Sequence, residues 1–403
     1  RDRTYTFTSA SEGNITFDGS KTLVIKGAGA TTTIIDANLK HRHFYFSANS
    51  NGTLLDTTFK IKDLTLKNGR PQSNDHGGSV YMNGYHENNY GYKGHSPLFQ
   101  NVVFQSNQTK FTTNDYHKYG GAVYAYRSNP SFRDVTFKYN TTTAQGGAIY
   151  IHDVDTNKTI IFERTIFTSN HIQPEENQQN SYYGGAVYLY HTGKVVFKNC
   201  VFDSNSVKFN YNSQNYGGAI HTTQNYDSLV VRNTKFRYNK VYNPEGSTNG
   251  GSAWGGAIYT SNVRGHFLVS NSVFIGNEAL VSYYTYTGDG SSGGYDHGAN
   301  AGAIYVTMQS FWSGTAYSYP LRSFFINNTF VNNKAEGSGN SQQGNGGALK
   351  YSGQQSTVLI NNNFWGNTVN NDTDTTRWEI RDLFNSSSNL ILAGNNNFQY
   401  AAA

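Results

Sequence analysis

Acid–base chemistry on a polymer needs two carboxylates, or a carboxylate beside a cationic base, held at a fixed separation. In this chain of 403 residues the close acidic groupings are Asp153 with Asp155, Glu175 with Glu176, and Asp372 with Asp374. All three fall in stretches that read as loops, and none recurs beside a basic residue in a matching unit. They read as solvated loop acids. Calcium at Asp372/Asp374 or Asp289/Asp296 lacks regular ligand spacing. The twelve His are scattered without metal-ligand spacing. The Gly pairs are followed by no Lys-Ser/Thr and begin strands rather than helices, so they are not phosphate loops. The single Cys200 leaves no internal disulfide and occupies a column of small core residues. No catalytic residue, metal or cofactor is therefore expected.

The residue type that does recur at fixed spacing is tyrosine. Tyr81, Tyr124, Tyr150, Tyr188, Tyr259 and Tyr305 hold the same place in successive units, with His221 and Lys350 in the same register. Parallel strands would stack these rings at about 4.8 Å. With Ser79, Ala122, Ala148, Ala186, Ala219, Ala257, Ala303 and Ala348 beside it, the column reads as a flat outward stripe able to receive a glycan, a loop or another subunit. The competing reading is that the chain's own loops cover the rings, or that they face the core. The long segments Asn74–Gly94, Ser282–Asn300 and Thr307–Pro320, dense in Tyr, Gly, Asn and Ser, are further contact candidates.

What must position these residues is a pair of words written eight times. A Gly-Gly-Ala-(Ile/Val)-Tyr-like word starts at Gly77, Gly120, Gly146, Gly184, Gly217, Gly255, Ala301 and Gly346; a Phe-x-x-Asn word follows at Phe104, Phe137, Phe167, Phe202, Phe236, Phe274, Phe330 and Phe364. A fixed pair repeated at 26 to 46 residues is the mark of a solenoid. Ile or Val at the fourth place of the glycine word and the sixth place should face the core, with Ala at the third and Tyr at the fifth outward. Six units carry Asn three places before the Phe: Asn101, Asn199, Asn233, Asn271, Asn327 and Asn361. This reads as a corner, because Asn tolerates left-handed backbone. The closing Asn107, Asn140, Asn170, Asn205, Asn239, Asn277, Asn333 and Asn367 read as a second corner whose stacked amides form a ladder. Short strands, Asn corners and Gly turns describe an all-β, right-handed parallel β-helix of about twelve coils. Its long loops are expected on one side, after the second Asn. Residues 1–76 read as entry coils, 77–367 as the eight-unit array and 368–403 as a closing coil.

The paired words resemble those of the chlamydial polymorphic outer-membrane proteins and of adhesin-like surface proteins. The entry segment, with Leu23–Gly27, Ile34-Ile35-Asp36 and Leu64–Gly69, resembles the first coils of pectin-lyase-like β-helices. The resemblance implies a surface-exposed passenger that adheres or builds an extracellular layer.

Composition agrees with that class. Lys and Arg number 31 against 26 acids, with no basic run to track a phosphate backbone, so nucleic acid is not expected as a partner. No stretch of 18 apolar residues offers a transmembrane helix. Arg1 in place of Met suggests a portion of a longer protein. Eight Asn-x-Ser/Thr sequons are about the number that chance supplies, and Asn107, Asn140 and Asn327 fall in the ladder columns. The expectation is a non-enzymatic extracellular or cell-surface protein, structural or adhesive, whose partners are copies of itself, surface proteins or glycans, and which could serve as a subunit of a layer or filament. The alternatives are a polysaccharide lyase or glycosidase, or a carbohydrate-binding β-helix.

Overall fold

The structure, a computed structural model, describes residues 3–18, 23–48, 54–72, 75–87, 91–109, 118–174, 180–209, 213–244, 251–281, 298–308, 322–337, 344–353, 356–369, 382–385, 390–392 and 394–398. Among them, short strands account for all the regular structure except one 3-10 turn at Ala10–Glu12. Apart from one antiparallel hairpin, they pair in parallel with the same strand one coil away and form a parallel β-helix. The column that contains the Phe-x-x-Asn words holds twelve rungs, from Arg3–Thr6 to Asn397–Phe398. The glycine words build an eleven-stranded sheet, and short strands after each closing Asn build a seven-stranded one. No described helix is long and apolar enough to cross a membrane.

Side-chain columns explain the register. The rings of Phe104, Phe137, Phe167, Phe202, Phe236, Phe274, Phe330, Phe364 and Phe398 stack with centroids 4.6–5.0 Å apart and planes within 13°. That distance is the strand spacing, so ring stacking and backbone pairing specify one register together. Val or Ile and the sixth-place residue of each glycine word pack against this column in one continuous core. A smaller lateral core, with Ile172, Val207, Phe209, Val241 and Ala279, lies under the strands after the closing Asn.

The corners are set by left-handed residues. All six Asn three places before the Phe have φ of 49–56°, and Asp134 and Arg164 hold the same conformation in the two units without Asn. The second corner differs from expectation. Its left-handed residue is the one before the closing Asn: Ser106, Tyr139, Ser169, Ser204, Tyr238, Gly276, Asn332 or Gly366, with φ of 51–63°. The closing Asn itself turns inward and ties the coils together through its side chain.

The glycine pair carries two separate constraints. The first Gly takes φ of 64–69°, which strains any residue with a Cβ, and Ala301 accepts this at φ 56°. At the second Gly a Cβ would lie 1.9–2.2 Å from the carbonyl oxygen of the equivalent Gly in the next coil. Stacking therefore requires glycine there, and all eight units have it. The third-place Ala departs from the outward orientation expected of it. The strand begins only at the fourth place, and Ala122, Ala148, Ala186, Ala219, Ala257, Ala303 and Ala348 are buried in the main core.

Part of Asn74–Gly94 is not a loop. Val80–Asn83 is a strand of the glycine-word sheet, and Tyr85–Glu87 pairs with Gly91–Lys93 as an antiparallel hairpin. This hairpin projects from the junction between a glycine-word strand and the next phenylalanine strand. Residues 282–297 and 309–320, the bulk of the other two candidate loops, lie outside the described residues.

Candidate functional site

The tyrosine register is continuous. Tyr45, Tyr81, Tyr124, Tyr150, Tyr188, His221, Tyr259, Tyr305 and Lys350 are successive Cα partners along the glycine-word sheet. Val123, Ile149 and Val187 beside them point into the main core, while the rings form separate clusters on the opposite face. The open stripe expected from the sequence is nevertheless covered. Tyr124, Tyr150, Tyr188, Tyr259 and Tyr305 are only 5–7 % exposed, and Tyr81 is half-buried.

The cover comes from a column that the sequence reading passed over, the residue just before each glycine pair. Five of eight units have His76, Tyr119, Tyr183, Tyr216 or Trp254 there. The bend at the glycine pair folds this residue back over the tyrosines. His76 stacks on Tyr124 at 4.5 Å, Tyr119 meets Tyr150 edge-on at 5.0 Å, and Tyr216 stacks on Tyr259 at 4.4 Å. His221 sits between the ring edges of Tyr183 and Tyr259, both 4.9 Å away. The signal was available: an aromatic stands immediately before the glycine pair in five of the eight units.

Burial governs the chemistry of this spine. It pushes Tyr81 and Tyr259 up to about 12 and raises Tyr150 and Tyr188 well above the usual phenol range. It lowers His76 to about 4 and His221 to about 3. Burial thus keeps these phenols and imidazoles in their neutral forms. At one end Arg42 lies over Tyr81 at 5.1 Å and pairs with Asp75; at the other, the Lys350 ammonium lies 5.1 Å from the Tyr305 ring.

The closing Asn side chains form an internal amide ladder. Asn140 Nδ2 donates to Asn170 Oδ1 at 2.9 Å and to the Phe104 carbonyl at 3.0 Å. Its Oδ1 accepts from the Asn107 backbone N–H and from Asn107 Nδ2, both at 3.0 Å. Asn170, Asn205, Asn239, Asn277 and Asn333 repeat this pattern, and Asn367 ends the run by donating to Asp382. Each internal amide thus fills both donors and both acceptors while fully buried. A second ladder, Asn328–Asn362–Asn396, occupies the inner column two places before the Phe and was not foreseen. Asn107 and Asn140 are inaccessible, so their sequons cannot carry a glycan.

Asp153 is not the solvated loop acid expected. Its carboxylate lies 3.3 Å from His152 Nδ1 and 2.8 Å from His191 Nδ1, and His152 Nε2 is 2.7 Å from the Tyr124 hydroxyl. Burial opposes its ionisation, but the two His contacts outweigh it and hold its pKa below the ordinary value. Asp155 stays in a turn, where its side chain accepts the Asn157 N–H. Glu175, Glu176, Asp289, Asp296, Asp372 and Asp374 lie outside the described residues. No described group of three His, Cys, Asp or Glu could hold a metal. Burial pushes the Cys200 thiol up to about 12.

The fold and its columns define a parallel β-helix built from one stacked unit. Residues 134–152 match the model described as the Chlamydia polymorphic membrane protein repeat. The matched stretch runs from the Asp134 corner through Phe137, Asn140 and the Gly146-Gly147 pair to His152, so it contains both words of one unit. The chain thus carries a repeat of that kind. No curated protein and no solved structure matches it.

Proposed function

We propose that this chain is a cell-surface, adhesin-like rod that acts by contact and not by catalysis. The match of residues 134–152 to a polymorphic membrane protein repeat is the observation that carries this reading. The architecture supports it: the repeated words are consumed in packing, which leaves the residues that vary from coil to coil on the outside. Surface proteins, glycans and further copies of the chain are the partners that fit an extracellular rod of this kind. The test is adhesion of beads coated with the purified chain to cultured cells, with soluble chain as competitor. Saturable, competed adhesion supports the reading; adhesion no better than that of albumin-coated beads removes it.

A carbohydrate-active enzyme on the same scaffold is the second reading, favoured by the Tyr124–His152–Asp153–His191 chain of contacts. It requires depolymerisation of an acidic polysaccharide that is lost in Asp153→Asn. Turnover with that dependence would displace the adhesive reading.

A further inference from the structure

Away from the tyrosine spine, the junction between the glycine-word sheet and the phenylalanine sheet carries a groove along four successive coils. Two abutting hollows of about 230 and 250 Å3 share Thr57 and Ser131. Together they reach the size of a small-ligand site. The floor carries the apolar side chains of Leu98 and Ile161. Hydroxyls come from Thr57, Ser96, Ser131 and Thr159, and Asn129 supplies an amide. Lys60 lies at one hollow and Lys158 at the other, with the Asp56 carboxylate at the rim.

Three features set this groove apart from an ordinary corner. Asn129 is 2 % exposed; its Nδ2 donates to the Asp155 carbonyl, and its Oδ1 has no partner among the described residues. The frame is rigid, because Ser96 N–H bonds the Leu55 carbonyl, Asn129 N–H the His95 carbonyl and Ser131 N–H the Pro97 carbonyl. The cations are available. Lys60 has no ion pair among the described residues, and Lys158 makes its side-chain hydrogen bond to the Ser96 hydroxyl at 3.3 Å. Arg133, also lining the groove, is already paired with Glu163 at 3.0 Å.

We infer that this groove binds an acidic oligosaccharide, with its anionic groups on Lys60 and Lys158 and one sugar face on Leu98 and Ile161. A flat apolar floor suits the C–H face of a pyranose. The ring of hydroxyls and the unpaired Asn129 carbonyl suit its hydroxyls, which both donate and accept. Asp56 is held ionised by the Thr58 hydroxyl and N–H, so it accepts hydroxyl protons at the rim. Ammonium groups with no ion pair among the described residues, set over a sugar-sized hollow, select an acidic saccharide over a neutral one. The inference deepens the adhesive reading and gives it a ligand class.

The experiment is calorimetric titration of the whole chain with tetragalacturonate, a heparin-derived tetrasaccharide and neutral galactotetraose. Saturable binding of an acidic probe is expected, weakened roughly tenfold in Lys158→Ala and in Lys60→Ala and unchanged in Lys138→Ala. Unaltered thermal unfolding shows that the variants are folded, and Lys158→Met preserves the stem if Lys158→Ala is not. Binding of tetragalacturonate assigns the carboxylate source; binding confined to the heparin fragment assigns sulfate. Absence of binding by the native chain, native affinity retained in both lysine variants, or equal binding of the neutral sugar overturns the proposal. Bead adhesion measured on the same variants separates the two claims: adhesion can fail while tetragalacturonate still binds, and it can persist in Lys158→Ala when the groove is not its cause.

Discussion

A buried asparagine is costly unless its hydrogen-bonding positions are filled, and the closing Asn column fills all four in every internal coil. Asn205→Ala leaves the Phe167 carbonyl, the Asn170 N–H and an Asn170 amide hydrogen without partners. Each buried orphan costs about 1–3 kcal/mol, so a loss of about 3 kcal/mol or more is expected in chemical denaturation. Asn233 holds the exposed corner at φ 51°, with only a solvent-exposed side-chain hydrogen bond to Asn199 Oδ1 at 3.2 Å. Asn233→Gly should change stability by less than about 0.5 kcal/mol. Titration acts at the same scale. His43 and His221 are buried, with pKa values lowered by desolvation to about 4 and about 3. The unfolded chain then binds more protons between those values and the ordinary 6.5. Stability is complete above about pH 6.5 and declines as pH falls toward 4, by on the order of 1.4 kcal/mol per pH unit for each His. His221→Phe should flatten the acid limb of a melting-temperature profile; an unchanged profile would contradict this assignment.

At the scale of the element, the two glycines of one word make opposite demands. Gly184→Ala adds left-handed strain and a Cβ 2.2 Å from the Val187 carbonyl oxygen within the same turn, a combination that Ala301 already accommodates in its unit, so it should still fold, at a penalty above the about 1–2 kcal/mol of the strain alone. Gly185→Ala places a Cβ 2.1 Å from the Gly218 carbonyl oxygen and should prevent coils from closing there, read as loss of cooperative unfolding or of soluble protein. Tyr150→Ala should destabilise by about 3 kcal/mol through the cavity in the covered aromatic spine. These columns also show what sequence can reveal. The alternation within a strand, the first Asn corner, the ladder of closing Asn amides and the tyrosine register were readable because a repeat shows one environment eight times over. The cover on the tyrosines was harder, since it depends on how the chain bends at Gly-Gly rather than on alternation. The inward turn of the third-place Ala was missed for the same reason. Asp153 and the groove at Asn129 were not legible, because they join residues from different coils that do not repeat.

For the whole molecule, the repeat leaves both ends and outer faces distinct from the middle. Tyr5, Ile15, Leu23 and Val24 are 45–52 % exposed on the first coil, whereas equivalent positions further along have a neighbour on each side. A strand edge with exposed apolar residues is a site for adding another strand. The purified chain is expected to associate with itself in sedimentation velocity as concentration rises, and Val24→Lys with Tyr5→Lys should suppress this. Persistence of the association in that double variant would place the contact elsewhere.

The most direct measurement is adhesion of beads coated with the native chain to cultured cells, with and without excess soluble chain, beside a turnover assay on acidic polysaccharides. A contact protein gives saturable adhesion, removed by the competitor, with no change in polymer length. Beads that adhere no better than albumin-coated ones, or steady depolymerisation that disappears in Asp153→Asn, would contradict that function.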